Sequence, residues 1–146
     1  MKKAFFLLAS VCLTLVLSAQ TVDGWNEFAK TKFEPKYYES LGEYLFYPNF
    51  PPELKKLEGK EITLQGYYMP FEIEGGKYII LSKFPYANCF FCGGAGPESI
   101  AEVYFKEKQG KFILDQFLTV KGKLKLNAED VEHVNFILED AVIVSK

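Results

Sequence analysis

The chain contains no arginine: all 17 of its basic residues are lysine, set against 19 Asp and Glu. Arginine supplies the planar fork that grips phosphate and guanine edges, and a pI near 5.5 adds no attraction for a polyanion. Nucleic acid is therefore not an expected partner. Histidine is reduced to one residue, His133, which allows at most one imidazole base or ligand. No G-x-S-x-G or H-E-x-x-H string occurs, and Gly93-Gly94-Ala95-Gly96 runs into Pro97 instead of opening a helix. Hydrolase and phosphate-loop chemistry have no foothold, and a non-catalytic role is the expectation. Cysteine is also scarce, with three residues in 146.

Aromatic residues are abundant: 14 Phe, 9 Tyr and 1 Trp, 16% of the chain. One domain with a β-rich core fits that load and that length. The first 19 residues stand apart. Lys2 and Lys3 precede the apolar run Ala4 to Leu17, and small Ser18 and Ala19 precede polar Gln20. The run is too short to span a bilayer and reads as a signal peptide over 1–19, cut after Ala19, with an uncleaved anchor as the alternative. A lipoprotein reading fails at Cys12, because β-branched Val11 precedes it after a short apolar stretch. The expected location is exported, periplasmic or extracellular, with no stable membrane span after cleavage. Loss of the leader leaves 15 Lys against 19 acids, a net of −4, and two cysteines, Cys89 and Cys92, in a compartment where thiols are often oxidised.

Residues 20–56 read as an aromatic-rich N-terminal extension. TVDGWNEFAK starts with a short helix capped by Thr21 or Asp23. Lys32 to Phe50, broken by Pro35, Gly42 and Pro48, reads as irregular extended segments that lay aromatics onto a sheet. Pro51-Pro52 closes it, and PELKKLEGK gives one helical turn ending at Gly59. From residue 57 to 146 the pattern predicts five short strands in EITLQGYYMPF, KYIILS, IAEVYFKEK, LTVKGKLKLN and NFILEDAVIVS. Glu74-Gly75-Gly76 makes a hairpin turn, and Gly66 and Gly122 fall where a bulge or tight bend belongs. Five strands with internal glycines suit an all-β, five-stranded OB-like barrel, with an irregular connection replacing the usual helix between its third and fourth strands. An open sandwich of similar size is the alternative.

Chemistry concentrates in the long loop between the second and third barrel strands, FPYANCFFCGGAGPES, since a loop that long in a small domain is usually functional. Cys89 and Cys92 at C-x-x-C, followed by Gly93-Gly94, resemble a metal knuckle, in which backbone N–H groups point at sulfur and glycine takes the required dihedrals. The same spacing serves thiol–disulfide chemistry, or closes a small disulfide worth only about 2 kcal/mol. A zinc-like site needs four ligands, and the loop offers two. His133, in NAEDVEHVNF, is the candidate imidazole, otherwise a solvated loop residue; Glu98 is the candidate oxygen ligand, otherwise a cap of the next segment. Phe84, Tyr86, Phe90 and Phe91 read as packing that shields the loop.

The segments LEGKEITLQGYYMP, ILSKFPYANCFFCGGAGPESIAEVYF, VKGKLKLN and FILEDA resemble a family of exported Bacteroidetes proteins related to the DUF3299 group and built on an OB-like domain. The resemblance covers roughly Leu57 to Val144, and CFFCGGAGPES is its specific string. Cys92 and Gly93 stand where the broader group carries a cysteine near a histidine ahead of a proline-rich stretch. That group implies a place beside envelope transport systems, some for zinc, and names no reaction.

The resulting expectation is an exported OB-like domain that binds a divalent, zinc-like metal through Cys89 and Cys92, with His133 and Glu98 as further ligands. It would act as an accessory in envelope metal handling, with an envelope protein or transporter as partner. A homodimer would complete a site with two thiolates from each subunit. The rival readings are a thiol–disulfide redox or sensing protein using the same pair, and a module binding a peptide or glycan on the barrel face.

Overall fold

Alternating apolar residues from Glu61 onward put one face of each strand inside a closed sheet, as seen in the computed structural model, which describes residues 22–71 and 78–146. The proposed leader and the Glu74-Gly75-Gly76 turn lie outside the described residues. The barrel strands are β3 (Glu61–Met69), β4 (Tyr78–Ser82), β5 (Ile100–Phe105), β6 (Phe117–Leu126) and β7 (Phe136–Ser145). They close in the order β3-β4-β5-β7-β6, all antiparallel except β5 with β7. The all-β OB-like expectation holds, and the sandwich alternative is set aside because β3 pairs with β6 to close the ring.

Leu64, Leu81, Val103, Val120 and Leu124 sit inside with no more than 2% exposure. Each such side chain contributes about 1.5–3 kcal/mol on burial. A Cβ on Gly66 would strike the Ser82 carbonyl oxygen, so only glycine lets β3 and β4 approach this closely. The second bend comes from β7: opposite Gly122 the β6–β7 register shifts, and Asp140 takes φ 52°, a left-handed position that Asp tolerates better than most residues.

The N-terminal extension is more regular than its prolines suggest. Helix α1 (Gly24–Phe28) is capped by Asp23, whose carboxylate accepts the Trp25 N–H. Residues Lys32–Tyr38 (β1) and Glu43–Asn49 (β2) then form an antiparallel hairpin in seven-residue register, correcting the irregular segments expected there. Pro35 and Pro48 are tolerated because this two-stranded sheet is all edge. Helix α2 (Pro52–Lys55) follows, and Gly59 at φ 76° ends the turn beyond it as expected.

Trp25, Phe28 and Leu54 are buried in the same apolar cluster as the barrel interior. Phe28 stacks on Phe136 of β7 at 4.0 Å, and the Trp25 indole N–H donates to the Gln65 carbonyl at 2.8 Å. Extension and barrel share one core. Among the described residues no helix is long and apolar enough to cross a membrane.

Candidate functional site

The loop from β4 to β5 is built of three short 3₁₀ turns, Tyr86–Asn88, Phe90–Cys92 and Pro97–Ser99. It is fastened at its base by Lys83 N–H to the Ser99 carbonyl, 2.8 Å, and at its flank by Tyr86 N–H to Asp115, 2.7 Å. Its underside lies on the outer face of β3 and β4, where Cys89 packs with Met69 and Ile80 and is fully buried. Phe91 covers Phe71 with ring centroids 4.3 Å apart. Of the four aromatics expected to shield the loop, Phe90 is half-buried, whereas Phe84, Tyr86 and Phe91 are exposed, Phe91 to 48%.

Cys89 and Cys92 are free thiols, one buried and one exposed, with their sulfurs 3.7 Å apart in hydrogen-bond contact. That contact, and then desolvation, push the Cys92 thiol above its ordinary range, the reverse of an activated thiolate. Gly93 supplies the left-handed turn at φ 76° that closes the C-x-x-C segment. The N–H groups of Cys92 and Gly94 donate to the Cys89 carbonyl, and that of Gly93 donates to Phe90. Those donors therefore serve carbonyl oxygens, whereas a knuckle would aim them at sulfur.

The four expected ligands are not gathered. Glu98 lies in the Pro97–Ser99 turn with its carboxylate folded back over the Gly96 backbone. His133 lies on the loop between β6 and β7, hydrogen-bonded to Glu102. Among the described residues no group of three or more His, Cys, Asp and Glu side chains is placed to hold a metal ion.

What His133 joins is a buried polar cluster on the outer face of β5. Glu102 is 2% exposed, and its carboxylate accepts from His133 Nδ1 at 3.0 Å, from Val134 N–H at 3.0 Å and from the Tyr104 hydroxyl at 3.1 Å. A carboxylate oxygen facing Nδ1 suits a proton on that nitrogen, and in a neutral imidazole so arranged Nε2 is the acceptor. Burial first, and then the Glu102 charge, hold the Tyr104 and Tyr78 hydroxyls above their ordinary pKa, which keeps both phenols protonated. Asn127 fixes the loop that carries His133: its side-chain amide donates to the carbonyls of Asp130, His133 and Val134, and its oxygen accepts from Asp130 N–H.

Tyr78 and Tyr104 pair across β4–β5 with stacked rings 4.5 Å apart, and Ile80 pairs with Glu102. The hairpin β1–β2 is tied to the β6–β7 loop where Glu129 accepts from Lys36 at 3.2 Å and from Tyr47 at 2.9 Å, two bonds that hold the Glu129 carboxyl below its ordinary pKa. Hairpin, thiol loop and His133 loop enclose a cleft of about 500 Å³ over this part of the sheet.

Glu102 and the cleft are absent from the sequence reading. The signal available was one acid alternating with Ala101 and Val103, which ordinarily marks a solvent-facing strand position.

No family model and no curated protein matches the chain. A solved structure of a DUF3299 family protein from Pseudomonas aeruginosa PAO1 is similar to it, with 19% identity, 68% of each chain covered and a TM-score of 0.46.

Proposed function

We propose that this OB-like barrel is an exported, non-catalytic binding protein that takes a soft or borderline divalent cation, zinc-like, on Cys89 and Cys92 as an accessory in envelope metal handling. The observation that carries the reading is the 3.7 Å separation of the two sulfurs. Two thiolates about 2.3 Å from a tetrahedral zinc stand roughly 3.8 Å apart, so the pair is already at the spacing of one tetrahedral edge. A bound cation deprotonates its thiol ligands outright and overrides the raised Cys92 pKa. One sulfur is buried and the other exposed, so the open side of the pair faces outward. With no third ligand beside them among the described residues, the remaining positions go to a second copy of the chain or to an envelope partner. Export rests on the Lys2-Lys3 start and the apolar run that follows it.

The test uses chain lacking residues 1–19, reduced and purified without oxygen, and titrated with Zn2+ against a chromophoric chelator. Retained zinc at one per chain, or one per two chains with dimerisation, supports the reading, with uptake lost in the Cys89→Ser, Cys92→Ser protein. Cobalt substitution counts the thiolates through their charge-transfer bands. No retained metal, together with rapid closure of a disulfide at a defined potential, would replace this reading with the redox one.

A further inference from the structure

We propose that the cleft over β4 and β5 is a binding site for a small organic cation, an apolar or aromatic body bearing a protonated amine. The site is separate from the thiol pair: neither cysteine lines it, although Phe90 and Phe91 of the same loop form one wall.

Its surface is mainly apolar, and aromatic rings come from four segments: Tyr38 and Phe46 from the hairpin, Phe71 just after β3, Tyr78 from β4, and Phe90 and Phe91 from the thiol loop. Folding alone gives no reason for Phe46 to stay 60% exposed and Phe91 48% exposed beside a concave surface. A volume of about 500 Å³ lies within the range of small-molecule sites, which are mostly apolar with a few converging polar groups. Here those polar groups share one sign. Glu102, Asp130 and Glu132 line the cleft, and no lysine does among the described residues that form it.

Aromatic rings around an acidic wall favour a cation twice over, through their negative faces and through the carboxylates, and they disfavour an anion for the same reasons. The Glu102 carboxylate already accepts from three donors within the protein, so it contributes charge and holds the imidazole in place without itself needing the ligand. His133 lines the cleft, and in the neutral Nδ1–H tautomer its Nε2 can accept a hydrogen bond from an ammonium N–H or a hydroxyl. A neutral alcohol keeps the aromatic contacts and that one hydrogen bond but gains nothing from the carboxylate charge.

The experiment compares three probes with the same ring and chain length: 2-phenylethylammonium, 2-phenylethanol and phenylacetate. Binding is followed by chemical-shift perturbation and calorimetry at low ionic strength on the chain lacking residues 1–19. The cation is expected to bind at least tenfold more tightly than the alcohol, with phenylacetate not binding and with shifts centred on Tyr78, His133 and Phe90. In the Asp130→Asn, Glu132→Gln protein the preference falls several-fold, with Glu102 still supplying part of it, while the alcohol binds as before. Phe46→Ala, an exposed position whose loss leaves the core intact, weakens the cation and the alcohol alike. Equal affinity for cation and alcohol, displacement of the cation by phenylacetate, an unchanged preference in the charge variant, or no binding of any probe would each overturn the proposal.

Discussion

Glu102 on β5 and His133 on the β6–β7 loop, 31 residues apart in sequence, meet at 3.0 Å, and the carboxylate is almost wholly buried while the imidazole is about a third exposed. The acid thus acts as an internal anchor for a loop. Its other two donors, Val134 N–H and the Tyr104 hydroxyl, come from that same loop and from its own strand. A lone buried carboxylate is costly; one that accepts three hydrogen bonds fixes what it touches.

Replacing Glu102 with Ala removes the partner of a half-buried backbone N–H and a half-buried phenol, which costs about 1–3 kcal/mol. The melting temperature should fall on the order of 5–10 °C. The imidazole should also change tautomer: nitrogen shifts of neutral His133 should show the proton on Nδ1 in the parent chain, and the variant should gain the Nε2–H form. An unchanged tautomer ratio would mean that Glu102 does not orient the ring.

The barrel was legible because its inward residues repeat with period two, and Leu64, Leu81, Val103, Val120 and Leu124 are all core. The hairpin β1–β2 was not, since Pro35 and Pro48 are the usual signals against a strand and only an all-edge sheet excuses them. At the candidate site, C-x-x-C spacing correctly places two sulfurs together, because that contact is local. The Glu102–His133 pair is long-range, and alternation puts Glu102 only on the strand face opposite Ala101 and Val103. Periodicity tells which face of a strand a residue occupies; it does not tell that a loop from 30 residues away will cover that face.

Phe28 lies in the N-terminal extension yet has no exposed surface and stacks on Phe136 inside the barrel. Phe28→Ala should therefore cost about 3–5 kcal/mol, as for any large core aromatic. In denaturant unfolding it should shift the midpoint of the single transition without splitting it. A separate early transition would instead mark the extension as an independent unit.

The two thiols should react unequally. Cys92 is exposed and Cys89 is buried, so a small alkylating reagent labels Cys92 first in the folded chain. Reaction runs through the thiolate, and the hydrogen bond with Cys89 followed by desolvation raises the Cys92 pKa. The folded thiol is therefore still protonated where an unfolded one ionises, near pH 8.5. The labelling rate, plotted against pH, should rise with its midpoint above that of the same chain in denaturant. A midpoint below it would reveal an activated thiolate and favour the redox reading.

Adjacent glycines behind the thiols should fail for different reasons. Gly93 takes φ 76°, and nothing lies within 4 Å of the place its Cβ would occupy, so Gly93→Ala meets only the left-handed backbone penalty, roughly 1–2 kcal/mol. At Gly94 a Cβ would lie 2.8 Å from the backbone of Asn88, and backbone atoms cannot swing aside as a side-chain tip can. Gly94→Ala should open the loop, lengthen the Gly94 N–H to Cys89 carbonyl bond of 3.2 Å and separate the sulfurs. The barrel core lies elsewhere, so both variants should keep their cooperative melting transition. Zinc uptake should then survive in Gly93→Ala at reduced affinity and be lost in Gly94→Ala. Equal uptake by the two would show that the metal does not depend on the 3.7 Å placement of Cys89 and Cys92.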